Sequence, residues 1–519
     1  MKDKRVAVVF ITHTSDLNDY EKTSVERCFS VFKNRDIILV MPDGMDYKIY
    51  SDMAKSVGKD FEVRILYKEW LSSIFVYNKL LIQPWFYELF SDYEYILTYQ
   101  LDVYPFYDNL DYFLNLGYDY CTSCFYFPIE NLYHKCVCGG FSLRRVDAFI
   151  DNLKTRSDWD FVNNQYPESF DDLIPEDVFF IGREEGIKNI CTKEIGDKFC
   201  FDSYLLTPDF VDLVNSNGKI EEFPMAIHEY GKQQYQYGAD FVIEQYNNSK
   251  IVLCTVSDDN YFYFTYPMIK SFINKNDWIH SCNFEINIIC DNEICKFSDE
   301  NLEILRSIDP YVKINKRVAD YEKYKEIFDK FTPLVYYPGY LKCFYKFECL
   351  NIPDAKKVFF FDSDILFVDS AKDLFFNENE IILSYDNFEM MNDEFDDYKS
   401  GPVSTGVFGF TINEKTSKYY TDLFHAALSM PVFDNSIFTG QFPEQHVFRY
   451  YFQNFTNIKL LPRRYNFVDV YKQTIIEDIG FMDILSNGLV AIHLYAKDDK
   501  LLKDRELYKL FDFYKRKGD

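Results

Sequence analysis

The sequence predicts an α/β protein made of two similar domains in tandem. Short apolar runs, typical of buried parallel strands, alternate with stretches of helical periodicity, and this alternation predicts right-handed β-α-β crossovers. One order of motifs occurs twice along the 519 residues, with a short polar run at 246–250 between the copies. We therefore expect one domain over residues 1–246 and a second over residues 249–519.

Composition limits the classes of partner. At 519 residues the chain is too long for one ordinary domain, and 47% hydrophobic residues are enough for large cores. A formal net charge of −27 argues against nucleic acid, because phosphate contacts need a basic face. An anionic nucleotide would need a metal ion or a local cluster of Lys and Arg. The 13 cysteines are odd in number and lack paired metal spacing, which favours reduced thiols in the cytoplasm.

The first residues predict a strand rather than a signal peptide, because the apolar run at 6–11 is short and is followed by Thr12, His13 and Asp16. The first half continues with a predicted helix at 19–32, a strand at 37–41, a helix at 77–90 and a strand at 95–99. No apolar run approaches the roughly 20 residues needed to span a bilayer.

Four motifs recur in the same order in both halves. In the first half they are Gln100-Leu101-Asp102, Gly139-Gly140-Phe141, Pro175-Glu176-Asp177 and Ala226-Ile227-His228. In the second half they are Asp362-Ser363-Asp364, Thr405-Gly406-Val407, Pro443-Glu444-Gln445 and Ala491-Ile492-His493. The glutamate and the histidine are 52 positions apart in the first half and 49 apart in the second. Four blocks in register indicate two copies of one architecture.

The triplet Asp362-Ser363-Asp364 follows the apolar run at 358–361 and predicts a metal site. Two carboxylates at the end of a buried strand are costly to desolvate unless a cation joins them. Hard oxygen ligands suit Mg²⁺ or Mn²⁺, which can bridge the oxygens of a nucleotide diphosphate. His493 also ends a buried run and would complete an O,O,N set suited to Mn²⁺. The alternatives are a solvated turn for the aspartates and a satisfied core position for the histidine.

Residues 249–500 resemble the family 8 retaining glycosyltransferases, the group of glycogenin and the bacterial lipooligosaccharide galactosyltransferases. The resemblance rests on the triplet within 361–366, the glycine turn before Val407, Glu444-Gln445, the run Leu-Pro-Arg-Arg-Tyr-Asn at 461–466, and His493. It implies a GT-A fold with the nucleotide over the strand ends, and Mn²⁺ or Mg²⁺ as the cofactor. The implied donor is a nucleotide sugar, with a UDP-sugar as the first expectation.

The resemblance also implies residues that contact the donor. They are Thr255, Val256, Asp258, Lys346, Ser363, Asp386, Gly406, Lys497 and Lys500. Ordinary surface charge is the alternative for Lys346 and Asp386. The sequence departs from the family at Ser404, where asparagine is usual before the glycine turn, and at Ala496, where glycine is usual after the histidine.

Gln445 matches the family residue on the β-face of the donor sugar. An amide is too weak a nucleophile to favour a covalent intermediate. The resemblance therefore implies a same-face displacement that retains the anomeric configuration, with the leaving phosphate helping to deprotonate the acceptor.

Residues 5–245 resemble a family of bacterial glycosyltransferase-like proteins. The shared blocks are Gln-Leu-Asp at 100–102, Gly-Gly-Phe-Ser-Leu-Arg at 139–144 and Glu-Asp-Val-Phe-Phe at 176–180, and Cys138 stands where that family has asparagine. The fold class expected for the whole chain is thus α/β with two tandem GT-A-type, Rossmann-like domains. Thr12 is expected to contact the nucleotide. Residue 100 is Gln and not a second aspartate, so a metal site in this half would pair Asp102 with His228.

Glu176 and Asp177 resemble the acidic pair of inverting GT-A enzymes, in which one carboxylate is the general base. The alternative is an acidic helix N-terminus favoured by the helix dipole. The run at 500–519 carries apolar residues among basic ones and predicts an amphipathic helix. This helix would pack on its own domain or touch a membrane surface.

Together these expectations describe a cytoplasmic bacterial enzyme with two glycosyltransferase domains that builds a cell-surface glycan such as capsule or lipooligosaccharide. Its acceptor would be a glycan or a lipid-linked glycan at the inner face of the cytoplasmic membrane. A competing hypothesis has one active transferase, the second domain, and an amino-terminal module that only binds the acceptor. A third hypothesis, a glycan-binding scaffold with two inactive sites, is disfavoured by the intact Asp362, Asp364 and His493.

Overall fold

The computed structural model describes residues 4–123, 138–164, 175–181, 185–202, 220, 222–233, 236–331, 338–385, 403–431, 443–468, 489–494 and 513–514. The chain divides into two compact units, Met1–Tyr246 and Asn247–Asp519. Each unit contains a mostly parallel sheet with helices between its strands, so the predicted α/β class is confirmed.

The first unit is organised around a central strand, β1, whose alternate residues face two different apolar clusters. Its strands are β1 (Lys4–Ile11), β2 (Asp36–Pro42), β3 (Glu62–Leu66), β4 (Tyr93–Tyr99), β5 (Val103–Pro105), β6 (Tyr120–Thr122), β7 (Phe141–Arg145), β8 (Cys200–Asp202) and β9 (Ala226–His228). The larger sheet has the order β3-β2-β1-β4-β7-β6, in which β7 runs antiparallel to both neighbours. A smaller sheet has the order β5-β9-β8.

The helices of the first unit begin at recognisable signals. Its α-helices are α1 (Asp19–Val31), α2 (Lys48–Ser56), α3 (Ile74–Leu81), α4 (Pro84–Glu88), α5 (Leu110–Leu116), α6 (Val146–Thr155), α7 (Trp159–Asn164), α8 (Glu176–Ile181), α9 (Lys193–Phe199) and α10 (Gln236–Asn247), and Lys68–Leu71 is a 3₁₀ turn. Asn18 and Glu21 form a capping box at the start of α1. The single helix predicted at 77–90 is instead the pair α3 and α4. Pro84 cannot donate a backbone hydrogen bond, but its fixed φ suits the first turn of a new helix.

The second unit is organised around β10 and β13. Its strands are β10 (Ile251–Val256), β11 (Phe284–Cys290), β12 (Lys313–Val318), β13 (Lys357–Phe361), β14 (Ile365–Phe367), β15 (Ile381–Tyr385), β16 (Val403–Thr411), β17 (Ile458–Leu461), β18 (Phe467–Val468) and β19 (Ala491–His493). The larger sheet has the order β12-β11-β10-β13-β16-β15-β17, and the smaller one β14-β19-β18. In β13, Val358 and Phe360 face one apolar cluster while Phe359 and Phe361 face the other, as expected of a strand covered on both sides.

Helices cover both faces of this second sheet. The α-helices are α11 (Phe262–Lys275), α12 (Asp299–Arg306), α13 (Tyr321–Phe331), α14 (Lys372–Phe375), α15 (Tyr419–Ser429) and α16 (Pro443–Phe452), and the 3₁₀ segments are Asp277–Ser281, Pro338–Asn351, Thr416–Lys418 and Arg463–Tyr465. Within the described parts of the chain, no helix is both long enough and apolar enough to cross a membrane.

The two units share one topology. The order β3-β2-β1-β4-β7-β6 across the first sheet matches the order β12-β11-β10-β13-β16-β15 across the second. Corresponding neighbours are parallel or antiparallel in the same way in both sheets. The smaller sheets also agree, since β9 pairs antiparallel with β5 and β19 pairs antiparallel with β14. In that pairing His228 lies opposite Val103 and His493 lies opposite Ile365. Each late histidine is therefore brought beside the residues that follow β4 in the first unit or β13 in the second.

Candidate functional site

In the second unit, Asp362, Asp364 and His493 form one cluster at the end of β13. His493 Nε2 lies 3.1 Å from Asp364 Oδ1 and 3.7 Å from Asp362 Oδ2. One ligand atom from each of the three residues lies within 4.8 Å of the others. The backbone N–H of Asp362 donates to the carbonyl of Gly406, and the N–H of Leu494 donates to that of Asp364. These two hydrogen bonds fix the backbone of Asp362 and of Asp364, and so the positions of both carboxylates.

The ring of His493 is oriented by a chain of polar groups behind it. Its Nδ1 lies 3.1 Å from Asn466 Oδ1, and the Asn466 amide nitrogen donates to Ser384 Oγ at 3.2 Å and to Ser404 Oγ at 3.0 Å. Because the amide nitrogen has two hydroxyl acceptors, the amide oxygen faces the imidazole. Nδ1 then donates to Asn466, and Nε2 is the ring nitrogen that faces the carboxylates.

A buried lysine completes the cluster. Lys346 Nζ lies 2.9 Å from Asp362 Oδ1 and 3.4 Å from Glu444 Oε1. Thr405 Oγ1 donates to the same Glu444 oxygen at 2.9 Å. The other oxygen of Glu444 is buried and has no hydrogen-bond partner within the described residues. Glu444 therefore keeps one acceptor available beside the cluster.

The ionisation of these groups reflects their burial and their mutual charges. Burial raises the pKa of Asp362, against the opposing effect of the Lys346 ammonium. Burial disfavours the imidazolium of His493, yet the Asp364 carboxylate raises the pKa of His493 above its ordinary value. Burial likewise disfavours the ammonium of Lys346, but Asp362 and Glu444 hold the pKa of Lys346 above its usual range.

This donor set could hold a divalent cation. Two carboxylates and one imidazole nitrogen match the hard, mixed oxygen and nitrogen ligands that Mn²⁺ accepts. The carboxylate oxygens alone would also suit Mg²⁺. Asn466 stands behind the histidine as an outer partner that fixes the orientation of the ligand.

The structure brings several other predicted residues of this unit toward the same edge of the sheet. Thr255 and Val256 end β10, and Asp258 follows them in an ion pair with Lys342. Ser363 is buried between the two aspartates in sequence. Gln445 follows Glu444 at the start of α16, and a Cβ at Gly406 would come within 3.0 Å of the His493 ring. Asp386, Lys497, Lys500 and most of the predicted helix at 500–519 lie outside the described residues.

The first unit has a related but different cluster around Asp102 and His228. His228 Nε2 lies 3.5 Å from Asp102 Oδ1. A Cβ at Gly140 would meet His228 Nε2 at 2.1 Å and Gln100 Oε1 at 2.7 Å, so only glycine fits there. Gln100 donates to Tyr77 Oη at 2.9 Å. An ammonium is already present, because Lys232 Nζ lies 3.1 Å from Asp102 Oδ2.

Behind His228 lies a second pair of potential ligands. Its Nδ1 is 2.7 Å from Asp202 Oδ1 and 3.2 Å from Cys138 Sγ, and the three residues are all buried. Burial raises the pKa of the Cys138 thiol, which disfavours the thiolate that a metal would require. Asp202 therefore serves as the partner that orients the imidazole, the position that Asn466 holds in the second unit.

The Glu176-Asp177 pair begins α8, and its two carboxylates have different surroundings. Glu176 Oε1 is paired with the fully buried Arg144 at 2.8 Å. Asp177 accepts the N–H groups of Val178 and Gly139, and burial together with the Glu176 charge raises the pKa of Asp177 to about 7. Thr12 is buried at the end of β1 with its hydroxyl 2.9 Å from Tyr50 Oη.

Some residues at these sites were not assigned a role from the sequence. In the sequence Lys232 follows His228 by four positions, as Lys497 follows His493, so the repeat itself was a usable signal. Asn466 and Glu444 stood inside recognised motifs without an assigned contact. No sequence pattern pointed to Asp202, because it is the pairing of β8 with β9 that brings this residue beside His228.

Comparisons with known proteins give the following findings. A family model described as "Protein of unknown function (DUF5672)" matches residues 60–213. None of the curated proteins matches the sequence significantly.

Solved structures of glycosyltransferases are distantly similar. The glycosyltransferase GlyE of Streptococcus pneumoniae TIGR4 is 15% identical over 51% of this chain, with a TM-score of 0.35, and this chain spans 60% of its length. The galactosyltransferase LgtC, in complex with donor and acceptor sugar analogues, is 14% identical over 51% of this chain and 95% of its own, with a TM-score of 0.34. The bifunctional glycosyltransferase WbbM is 13% identical over 98% of this chain and 97% of its own, with a TM-score of 0.36.

Proposed function

We propose that this protein transfers sugars from nucleotide-sugar donors to a glycan acceptor, with a GT-A-type domain in each unit. The observation that carries the proposal is the cluster of Asp362, Asp364 and His493 at the carboxyl end of β13. In open α/β sheets, ligands bind in the crevice beyond the carboxyl ends of the parallel strands. The family 8 motifs around these three residues support the same assignment.

In the second unit, Asp362, Asp364 and His493 would hold Mn²⁺ or Mg²⁺. Such an ion supplies charge stabilisation for a leaving diphosphate. Lys346 orients the Asp362 carboxylate through their 2.9 Å ion pair. The oxygen of Glu444 without a described partner is suited to accept a hydrogen bond from a donor-sugar hydroxyl. Thr255, Val256 and Asp258 would line the nucleotide, and Asp386, Lys497 and Lys500 remain proposed donor contacts.

The second unit is proposed to retain the anomeric configuration. Gln445 is next to Glu444 at the start of α16, and its amide is a poor nucleophile. Glu444 itself is engaged by Lys346 and Thr405. A same-face displacement is therefore the mechanism that these residues favour.

The first unit is proposed to be an inverting transferase with Asp177 as the general base. The shared strand order supports a correspondence between the start of α8 and the start of α16, in which Asp177 matches Gln445. Glu176 is held in an ion pair with Arg144, which leaves Asp177 as the carboxylate of the pair that is suited to accept a proton. A pKa of about 7 is close to the optimum for a base at neutral pH. If this unit only binds the acceptor, Asp177 will have no effect on turnover.

The acceptor is proposed to be a bacterial cell-surface glycan, such as capsule or lipooligosaccharide, or its lipid-linked precursor, used in the cytoplasm. This part of the proposal rests on the family resemblances of the two halves.

The test is nucleotide release by the full-length chain against a panel of nucleotide sugars, with Mn²⁺ and with EDTA. Asp364→Asn should abolish the metal-dependent part of this release, because it removes one of two carboxylate ligands. Asp373→Asn, an exposed acidic residue of α14, is the matched control and should leave release unchanged. Full release in EDTA by the unaltered chain and by Asp364→Asn would contradict metal-dependent transfer in the second unit.

Two further measurements separate the units. Proton NMR of the product made by Asp177→Asn should show retention from an α-linked donor, and a β-linked product would contradict the mechanism of the second unit. Any transfer that survives in Asp364→Asn should fall about 100-fold when Asp177→Asn is added. Unchanged residual transfer in the double variant would exclude Asp177 as the base.

A further inference from the structure

The positions that correspond to the proposed metal ligands of the second unit carry partly different residue types in the first unit. β4 and β13 correspond, and each is followed by three residues before β5 or β14 begins. Gln100 thus corresponds to Asp362, and Asp102 to Asp364. The histidines agree in register, because His228 pairs with Val103 as His493 pairs with Ile365. The first unit has one carboxylate where the second has two.

That single carboxylate is already paired with a cation from the chain. Lys232 Nζ lies 3.1 Å from Asp102 Oδ2 and 2.9 Å from Glu229 Oε1. A lysine side chain is charged at neutral pH, so these two contacts hold a positive charge at this site.

The turn that carries Lys232 is built to hold it there. Glu229 has φ of 64°, a left-handed conformation that non-glycine residues rarely adopt. Gly231 has φ of 86°, and a Cβ there would lie 2.7 Å from Tyr20 Cβ. The N–H of Tyr230 donates to the carbonyl of Asp102 at 2.8 Å, which ties the turn to the end of β4. Strained backbone of this kind is retained where a site needs a particular geometry.

These residues do not fit Mn²⁺ or Mg²⁺. Such ions favour carboxylate oxygens, and here Gln100 is a neutral amide, so Asp102 is the one carboxylate at the matching positions and it is paired with Lys232. In the second unit, Asp364 supplies a further carboxylate beside the pair formed by Lys346 and Asp362. The nitrogen on the far side of the His228 ring, Nδ1, is engaged by Asp202.

We propose that the first unit binds the diphosphate of its donor directly through the Lys232 ammonium, without a divalent metal ion. Asp102 is then a positioning residue that holds the lysine, and of these two related clusters the one in the second unit binds Mn²⁺ and the one in the first unit does not. This inference rests on the proposed function, because it assumes that the first unit binds a nucleotide sugar.

The first test counts metal ions on the full-length chain by electron paramagnetic resonance of Mn²⁺. We expect one tightly bound Mn²⁺ per chain, its loss in Asp364→Asn, and no change in Asp102→Asn. Two bound ions, one of them lost in Asp102→Asn, would overturn the inference. No bound ion in the unaltered chain would contradict the proposed metal site of the second unit, and the next measurement would then decide the inference independently.

The second test measures binding of uridine diphosphate in EDTA by calorimetry, using Asp364→Asn so that the second unit lacks its metal site. We expect one binding event that weakens as salt is raised, because it depends on a charge contact. Lys232→Gln should weaken this binding at least about 10-fold, which is the typical effect of removing one charged hydrogen bond, and Lys232→Arg should keep most of it.

The matched control is Lys193→Gln, which removes an ion pair between Lys193 and Asp197 on α9. It should bind uridine diphosphate like its parent. The inference is overturned if no binding is seen in EDTA, if binding appears only when Mn²⁺ is added and is lost in Asp102→Asn, or if Lys232→Gln binds as tightly as the control.

Discussion

Asn466 Oδ1 lies 3.1 Å from Nδ1 of His493, on the side of the ring opposite the two aspartates. In the first unit Asp202 Oδ1 lies 2.7 Å from Nδ1 of His228. Both units therefore orient the late histidine through an oxygen acceptor on Nδ1, although the two acceptors come from different side chains. An acceptor in this position selects the tautomer whose Nε2 faces the cluster.

Replacing Asn466 by Ala should weaken Mn²⁺ binding to the second unit about 10- to 100-fold, the usual effect of losing an outer partner of a ligand. Asn466→Asp keeps an oxygen acceptor, as Asp202 does in the first unit, and should weaken binding much less. The measurement is Mn²⁺ affinity of the full-length chain by calorimetry. Equal affinity of the Ala variant and the unaltered chain would show that the tautomer is set by other contacts.

Replacing Glu176 by Gln should destabilise the first unit by about 3 kcal/mol, because the fully buried Arg144 is left without its charged partner. Denaturant unfolding followed by fluorescence measures this loss. Glu62→Gln is the matched control: it breaks a pair with Arg64 in which the Glu62 side chain is 51% exposed, so its effect should stay below about 1 kcal/mol. Similar losses in both variants would mean that burial of the Arg144 pair has no special cost.

Replacing Asp177 by Asn should stabilise the fold relative to the unaltered chain more at high pH than at low pH. The pKa of Asp177 is about 7 in the fold and about 4 in an unfolded chain, so the folded state binds more protons between these values. The free energy of unfolding of the unaltered chain therefore falls as pH rises from about 4 to about 7, because the folded state must release this proton. Asn does not titrate, so the variant does not lose this stability.

Unfolding free energies of both proteins at pH 5 and pH 8 measure the difference. The advantage of Asp177→Asn should be small at pH 5 and should increase toward pH 8. A gap that is the same at both pH values would show that the carboxyl is not held in its neutral form by burial and by Glu176.

Much of the fold was accessible from local pattern. The apolar run at 358–361 predicted a strand covered on both faces, and its four residues do alternate between two cores. The repeat of motif order predicted two copies of one architecture, and the strand orders of the two sheets agree. The prediction of one uninterrupted helix at 77–90 was wrong. The apolar periodicity continues across Pro84, but the helical hydrogen bonding of the backbone is interrupted there.

The residues that end the strands can be identified from local sequence, because burial periodicity and turn chemistry depend on a few neighbouring residues. Asp362, Asp364, His493, Asp102 and His228 could all be found in this way. The partners of these residues could be found from the tertiary structure alone: Lys346 for Asp362, Asn466 for His493, Asp202 for His228 and Lys232 for Asp102. Those contacts join segments that are distant in sequence, so they depend on how the strands pair and on where the connecting turns run. The net charge of a site depends on such contacts. Two units with the same order of motifs can therefore differ in the ligands that their sites bind.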